Sequence, residues 1–327
     1  MNNLFVRIAS GIVFLIIMTS CILLNQYTFL ILFSFILIGS LNEFYNITLP
    51  KREESSSFWT GKWTIIAMCA VIYLFSYVLA SPPVRSLPDP SNKLKALFSV
   101  IMMQRDSALA LSVLVPILIL KIIGSELFSK RENPFTNIGW NVVAVGYILV
   151  PLILTNNIYF SNGGFFLMAV FILIWVYDSA AYAFGSVLGR HKLFERISPK
   201  KTVEGLVGGI LFTGALAYFI PTIVEGLKGN QAEWVTKALI PQLSALSGIQ
   251  WILLTVIIIL AATFGDLAES LLKRSLKIKD SGSIMPGHGG FLDRFDAYLF
   301  TVPYVALMLW VFNQVNNLSI MIDYISK

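Results

Sequence analysis

The chain has 327 residues, of which 56% are hydrophobic and only 13% charged, with a mean hydropathy of +0.75. These values exclude an ordinary soluble globular domain and make the lipid bilayer the expected solvent. The formal charge of +6 invites a nucleic-acid reading, but the Lys and Arg residues fall in loops between apolar runs, where orientation bias explains them more simply, so no nucleic-acid partner is expected.

A helix needs about 20 apolar residues to cross the hydrocarbon, and such stretches recur along nearly the whole chain. The reading is an all-α, polytopic integral membrane protein with about nine transmembrane helices. They are placed at about 5–24, 27–47, 63–80, 107–123, 138–155, 164–184, 205–223, 250–268 and 295–312. The first run carries Arg7 at its start and the small residues Thr19, Ser20 and Cys21 near its end, in the manner of a signal peptide; a second span follows after almost no loop, which favours a retained helix. Cys21 and Cys69 lie inside apolar runs with no CxxC or nearby His, so they read as packing residues without disulfide or zinc. Trp63, Trp140, Trp251 and Trp310 fall near span ends, as interfacial anchors do, and Trp175 falls inside a span. Pro82, Pro83, Pro88 and Pro90 mark an irregular connection, and the apolar stretch 97–103 that follows is expected on the membrane surface.

The loops set the orientation. One alternating set (the N-terminus and the loops near 51–62, 124–137, 185–204 and 269–294) holds sixteen Lys and Arg residues, and the other holds seven. By the positive-inside rule the N-terminus and the first set are cytoplasmic, and the C-terminus is outside.

The two richest cytoplasmic loops, 185–204 and 269–294, are bracketed by Asp178, Asp266, Glu269, Asp293 and Asp296. A carboxylate within a span costs about 2.5–3.5 kcal/mol on insertion scales, so one that is kept there faces a cavity, an ion or a partner charge. For Asp178 or Asp266 alone, an interfacial residue or a helix-helix hydrogen bond competes with a site role; the loops that follow them favour the site. Asp266, Glu269, Ser270 and Lys273 fall at i, i+3, i+4 and i+7, one face of a helix, and Asp293 and Asp296 would share a face near a helix start. Carboxylates without nearby Cys and with few His are hard oxygen ligands, suited to Mg²⁺, which completes its shell with waters and substrate phosphates. Between them lies Pro286-Gly287-His288-Gly289-Gly290, whose glycines let backbone N–H groups approach a bulky anion, with Lys273, Arg274, Lys277, Lys279 and Arg294 around it. His288 reads as a metal ligand, a proton carrier, a phosphate donor or a loop-fixing residue. In the second loop, Lys200 and Lys201 add cations and Thr202 suits an N-cap for the next span.

These residues resemble the phosphatidate cytidylyltransferase (CDP-diacylglycerol synthase) family. Its pattern is met by Ser270, Lys273, Arg274, Lys279, Asp280, Gly282, Pro286, Gly287, His288, Gly289, Gly290, Asp293, Arg294 and Asp296. An upstream block is met by Asp178, Tyr182, Gly185, Gly189, Arg190, Ser198, Pro199, Lys200, Lys201, Thr202, Glu204 and Gly205. The likeness covers about residues 170–305; Met285 stands where the family usually has Leu, Ile or Phe, and the 81–106 segment is long for the family.

The resemblance implies transfer of a cytidylyl group from CTP to phosphatidate in the bilayer, at the cytoplasmic face of a bacterial cytoplasmic (inner) membrane. It implies Mg²⁺, with a second cation such as K⁺ compatible; a homodimer is left open. Residues 1–160 are then a scaffold of spans, and 161–327 carry the site. The catalytic set is Asp266, Asp293, Asp296, Lys273, Arg274 and Arg294, with Asp266, Asp293, Asp296 and Asp178 on the metal. Substrate binding falls to Ser198, Lys200, Lys201, Thr202, Lys279, Asp280, Gly287, His288, Gly289 and Gly290. Two rivals share nucleotide handling, a polyprenol kinase and a CDP-archaeol synthase. A third, an ion-coupled transporter, would line a pathway with its Asp residues, but the clustering on one face and the lack of an evident inverted repeat argue against it.

Overall fold

The computed structural model describes residues 3–48, 61–81, 107–127, 133–227, 232–282, 284 and 289–325. In chain order the elements are α1 (Asn3–Leu23), α2 (Gln26–Thr48), α3 (Lys62–Ala80), α4 (Ser107–Leu127), α5 (Pro134–Asn162) and α6 (Gly164–Leu188). Then come a hairpin, β1 (Lys192–Phe194) with β2 (Ser198–Thr202), and the helices α7 (Val203–Gly226), α8 (Gly248–Ser275) and α9 (Leu292–Ile325).

Among the described residues, seven helices (α2, α3 and α5 to α9) are long and apolar enough to cross a membrane. Helices α1 and α4, 21 residues each, lie where the first and fourth expected spans fall. The chain is thus an all-α polytopic membrane protein, to which the small antiparallel hairpin is an addition. The expected surface stretch 97–103 lies outside the described residues.

Helix starts follow from local chemistry. Asn25 Oδ1 accepts from the backbone N–H groups of Tyr27 and Thr28 at 2.9 and 3.0 Å, so the turn between α1 and α2 caps the second helix within two residues. Ser247 and Gln250 form a reciprocal capping box at the start of α8. Thr202 caps α7 as its residue type suggests, its Oγ1 accepting from Gly205 N at 3.2 Å. Helix α8 runs one to two turns past its expected end, so Lys273 and Arg274 belong to its last turn and not to a loop. Helix α5 contains a π-helical turn at Val145–Leu149.

The chain forms two compact units. The first comprises residues 1–161 with 280–292. Buried polar contacts tie its helices: Tyr45 Oη donates to Asn141 Oδ1 at 2.9 Å, Asn137 Nδ2 donates to Glu126 Oε2 at 3.2 Å, and Asn156 Nδ2 donates to Ser76 Oγ at 2.8 Å. Interhelical hydrogen bonds of this kind do the work that the hydrophobic effect cannot do in lipid.

The second unit comprises 162–279 with 293–327, and its tightest joint is between α6 and α7. A Cβ on Gly205 would lie 2.6 Å from Ala181 O and 3.2 Å from Gly185 Cα, and one on Gly209 would lie 2.8 Å from the Tyr177 ring, so α7 meets α6 through a small-residue stripe. Trp251 corrects the interfacial reading: it is 0% exposed, packs against Phe166, and donates Nε1–H to Leu243 O at 3.2 Å. Its position at a span end was a poor guide because the turn preceding α8 folds back over it.

Candidate active site

Helix α6 presents Asp178 one residue after Tyr177, whose hydroxyl pairs with Thr263 Oγ1 of α8 at 2.6 Å. That bond sets the two helices side by side. On α8, Asp266 lies one turn beyond Thr263, and Ser270 Oγ donates to Asp266 Oδ1 at 3.3 Å. The hairpin supplies the counter-charge: Lys201 Nζ of β2 is 2.5 Å from Asp266 Oδ2. Asp178 in turn lies within electrostatic range of Lys201, Asp266 and Arg294.

One turn further along α8, Lys273 Nζ is held between two carboxylates, at 2.5 Å from Glu269 Oε2 and 2.6 Å from Asp293 Oδ1 of α9. This group is buried, with the Glu269 side chain 1% exposed and Asp293 6%. Asp296, one turn into α9, feels the charges of Asp266, Lys273 and Asp178. The site therefore gathers Asp178, Lys201, Asp266, Glu269, Lys273, Asp293, Arg294 and Asp296 from α6, β2, α8 and α9. Its five carboxylates face three cations. Among the described residues, no three Asp, Glu, His or Cys side chains already converge on a common ligating point. Lys201 and Lys273 occupy the carboxylate oxygens instead.

The remaining expected residues are placed otherwise. Lys200, Arg274, Lys279 and Asp280 are exposed, and Ser198 is half-buried at the start of β2. Thr202 is buried in its capping role. Gly287 and His288 lie outside the described residues, and Gly289, at φ +83°, adopts a backbone conformation that favours glycine. Glu204 grips the loop before the hairpin, accepting from Arg190 N at 3.0 Å and meeting His191 Nδ1 at 2.6 Å.

Two carboxylates escaped the expected set. Glu269 was placed on the right helix face but given no role, and it shares Lys273 with Asp293. Glu43 of α2 lies in the first unit; its Oε2 accepts from Ser281 Oγ at 3.2 Å and from Leu292 N at 3.0 Å. The signal was present: Glu43 is an acid inside the second expected span, where a carboxylate is costly to insert.

Acids and lysines paired within a spanning helical bundle are suited to handling phosphate charge at a membrane. A sequence profile of the cytidylyltransferase family matches residues 5–312, and the chain belongs to that family. It is similar to the phosphatidate cytidylyltransferase of Staphylococcus saprophyticus subsp. saprophyticus, with 30% identity over 254 residues, covering 73% of this chain and 90% of that one. It is 32% identical over 192 residues to that of Staphylococcus aureus and 31% over 192 residues to that of Staphylococcus haemolyticus, covering 58% of this chain and 65% of each of those.

Proposed function

We propose that the chain is a phosphatidate cytidylyltransferase: a phosphate oxygen of phosphatidate attacks the α-phosphorus of CTP, the bond to the β-phosphate breaks, and CDP-diacylglycerol and diphosphate result. The attacking phosphate is already ionised, so no general base is needed. The work of the protein is to bring two polyanions together and to balance their charge. The observation that carries this reading is the placement of Lys201 and Lys273 among the family-motif carboxylates Asp266 and Asp293.

Those lysines and Arg294 would neutralise phosphate oxygens, with Lys200, Arg274 and Lys279 as the exposed cations met on approach. The acids would hold Mg²⁺, through Asp266, Asp293 and Asp296 with Asp178 beside them, and a second cation such as K⁺ suits the same surroundings. Carboxylates are hard oxygen donors of the kind a divalent ion such as Mg²⁺ takes. When bound, such an ion polarises phosphoryl oxygens and stabilises the leaving diphosphate.

With nine spans, the excess of sixteen Lys and Arg over seven supports a cytoplasmic N-terminus and a site facing the cytosol of a bacterial inner membrane. Purified protein given phosphatidate and α-labelled CTP is expected to place label in the lipid, dependent on Mg²⁺. Label transferred from the γ-position would indicate a lipid kinase, and preference for an archaeol phosphate would indicate the archaeal-type synthase. Ion flux in vesicles without CTP consumption would indicate a transporter.

A further inference from the structure

Three residues of α2, Phe35, Gly39 and Glu43, stand at i, i+4 and i+8 on one helix face, and all three engage the segment 280–292. The Phe291 ring meets Phe35 edge-on at 5.2 Å, and a Cβ on Gly39 would lie 2.5 Å from Phe291 Cδ2, so only glycine leaves room for that ring. One turn along, the Glu43 carboxylate fills the space beside Gly282 and Gly290; a Cβ on either glycine would run into it. Glu43 is 4% exposed, and its Oε1 has no hydrogen-bond partner among the described residues.

The Leu292 N–H that Glu43 accepts is the first of helix α9. The opening N–H groups of a helix have no partner within it; a side-chain oxygen at the preceding residue ordinarily meets the second or third of them, and the first must find its acceptor elsewhere. The residue preceding this helix is Phe291, and before it comes Gly290; neither side chain can accept from any of these donors. A carboxylate from another helix fills the gap, and its charge also suits the positive end of the helix dipole.

We propose that Glu43 is a positioning residue for the cytidylyl transfer, capping α9 from α2 and fixing the helix start that carries Asp293 and Asp296. Asp293 directly follows Leu292, and Asp296 lies one turn on, so a slip or fraying of the first turn displaces both. The proposal rests on the functional reading above, and its test separates the two.

Glu43→Ala and Glu43→Gln proteins, purified in detergent beside the wild type, are compared by hydrogen exchange across 280–296 and by kcat and KM for each substrate. In Glu43→Ala, exchange in this segment is expected to quicken by about tenfold or more with the other helices unchanged, and kcat to fall by about 100-fold with KM for phosphatidate unaltered. Glu43→Gln, which keeps one acceptor oxygen, is expected to recover most of both. Unchanged exchange at 280–296 in Glu43→Ala would overturn the proposal. So would exchange raised throughout the chain with activity falling only in step with the folded fraction. If the wild type makes no CDP-diacylglycerol, the functional reading fails, while the exchange comparison still decides whether Glu43 caps α9.

Discussion

Lys201 of β2 and Asp266 of α8 form an ion pair at 2.5 Å, with side chains 25% and 39% exposed. A pair this accessible contributes only about 0–1 kcal/mol to stability. Lys201→Ala is therefore expected to leave the unfolding midpoint nearly unchanged while kcat falls by about 100-fold, since it removes a cation proposed to neutralise phosphate charge. Thermal unfolding and turnover measured on one preparation check both halves.

Lys273 differs because its surroundings are buried. Replacing it with Met would leave Glu269 and Asp293 facing each other without a counter-charge, and breaking a buried pair costs about 3–5 kcal/mol. Lys273→Met is expected to lower the unfolding midpoint strongly. Adding Glu269→Gln should recover part of the loss, a coupling that a double-mutant cycle measures directly.

Asp293→Asn and Asp296→Asn are expected to abolish turnover while the proteins still insert and purify normally. Full activity in both variants would remove these acids from the proposed metal site. Chelation by EDTA should likewise stop the wild-type reaction, and added Mg²⁺ should restore it.

At Gly205, a Cβ would meet the Ala181 carbonyl at 2.6 Å, and backbone cannot rotate aside as a side chain can. Gly205→Ala is expected to destabilise by about 1–3 kcal/mol, the usual range for overpacking. Unfolding in detergent would read this loss.

Much of the architecture was legible because a bilayer demands long apolar runs, and those runs mark α2, α3 and α5 to α9 plainly. The face shared by Asp266, Glu269, Ser270 and Lys273 followed from helical spacing, and the Ser270 and Lys273 contacts realise it. The Thr202 cap followed from residue type and position. Long-range contacts were harder to see. The Lys201 to Asp266 pair spans 65 positions and has no periodic trace, and the short hairpin that delivers Lys201 lies among charges that resemble an ordinary loop.

Glu43 was hidden for another reason. It lies in the half of the chain outside the stretch that carries the family resemblance, amid the apolar residues of the second expected span. Hydropathy averages over such a residue, although the insertion cost of one acid outweighs several neighbouring methyl groups. Trp251 failed in the opposite sense, since a span-end position says nothing about whether protein or headgroups lie outside it.

Where α7 rests on α6, Gly205 and Gly185 bring the two backbones together, a Cβ on Gly205 lying 3.2 Å from Gly185 Cα. Asp178 projects from one side of this joint, and Lys201 enters just before the other. The main-chain positions from which that acid and that lysine start are consequently tied to this close backbone contact, and a tilt of either helix would shift them, as play in a vice shifts its jaws.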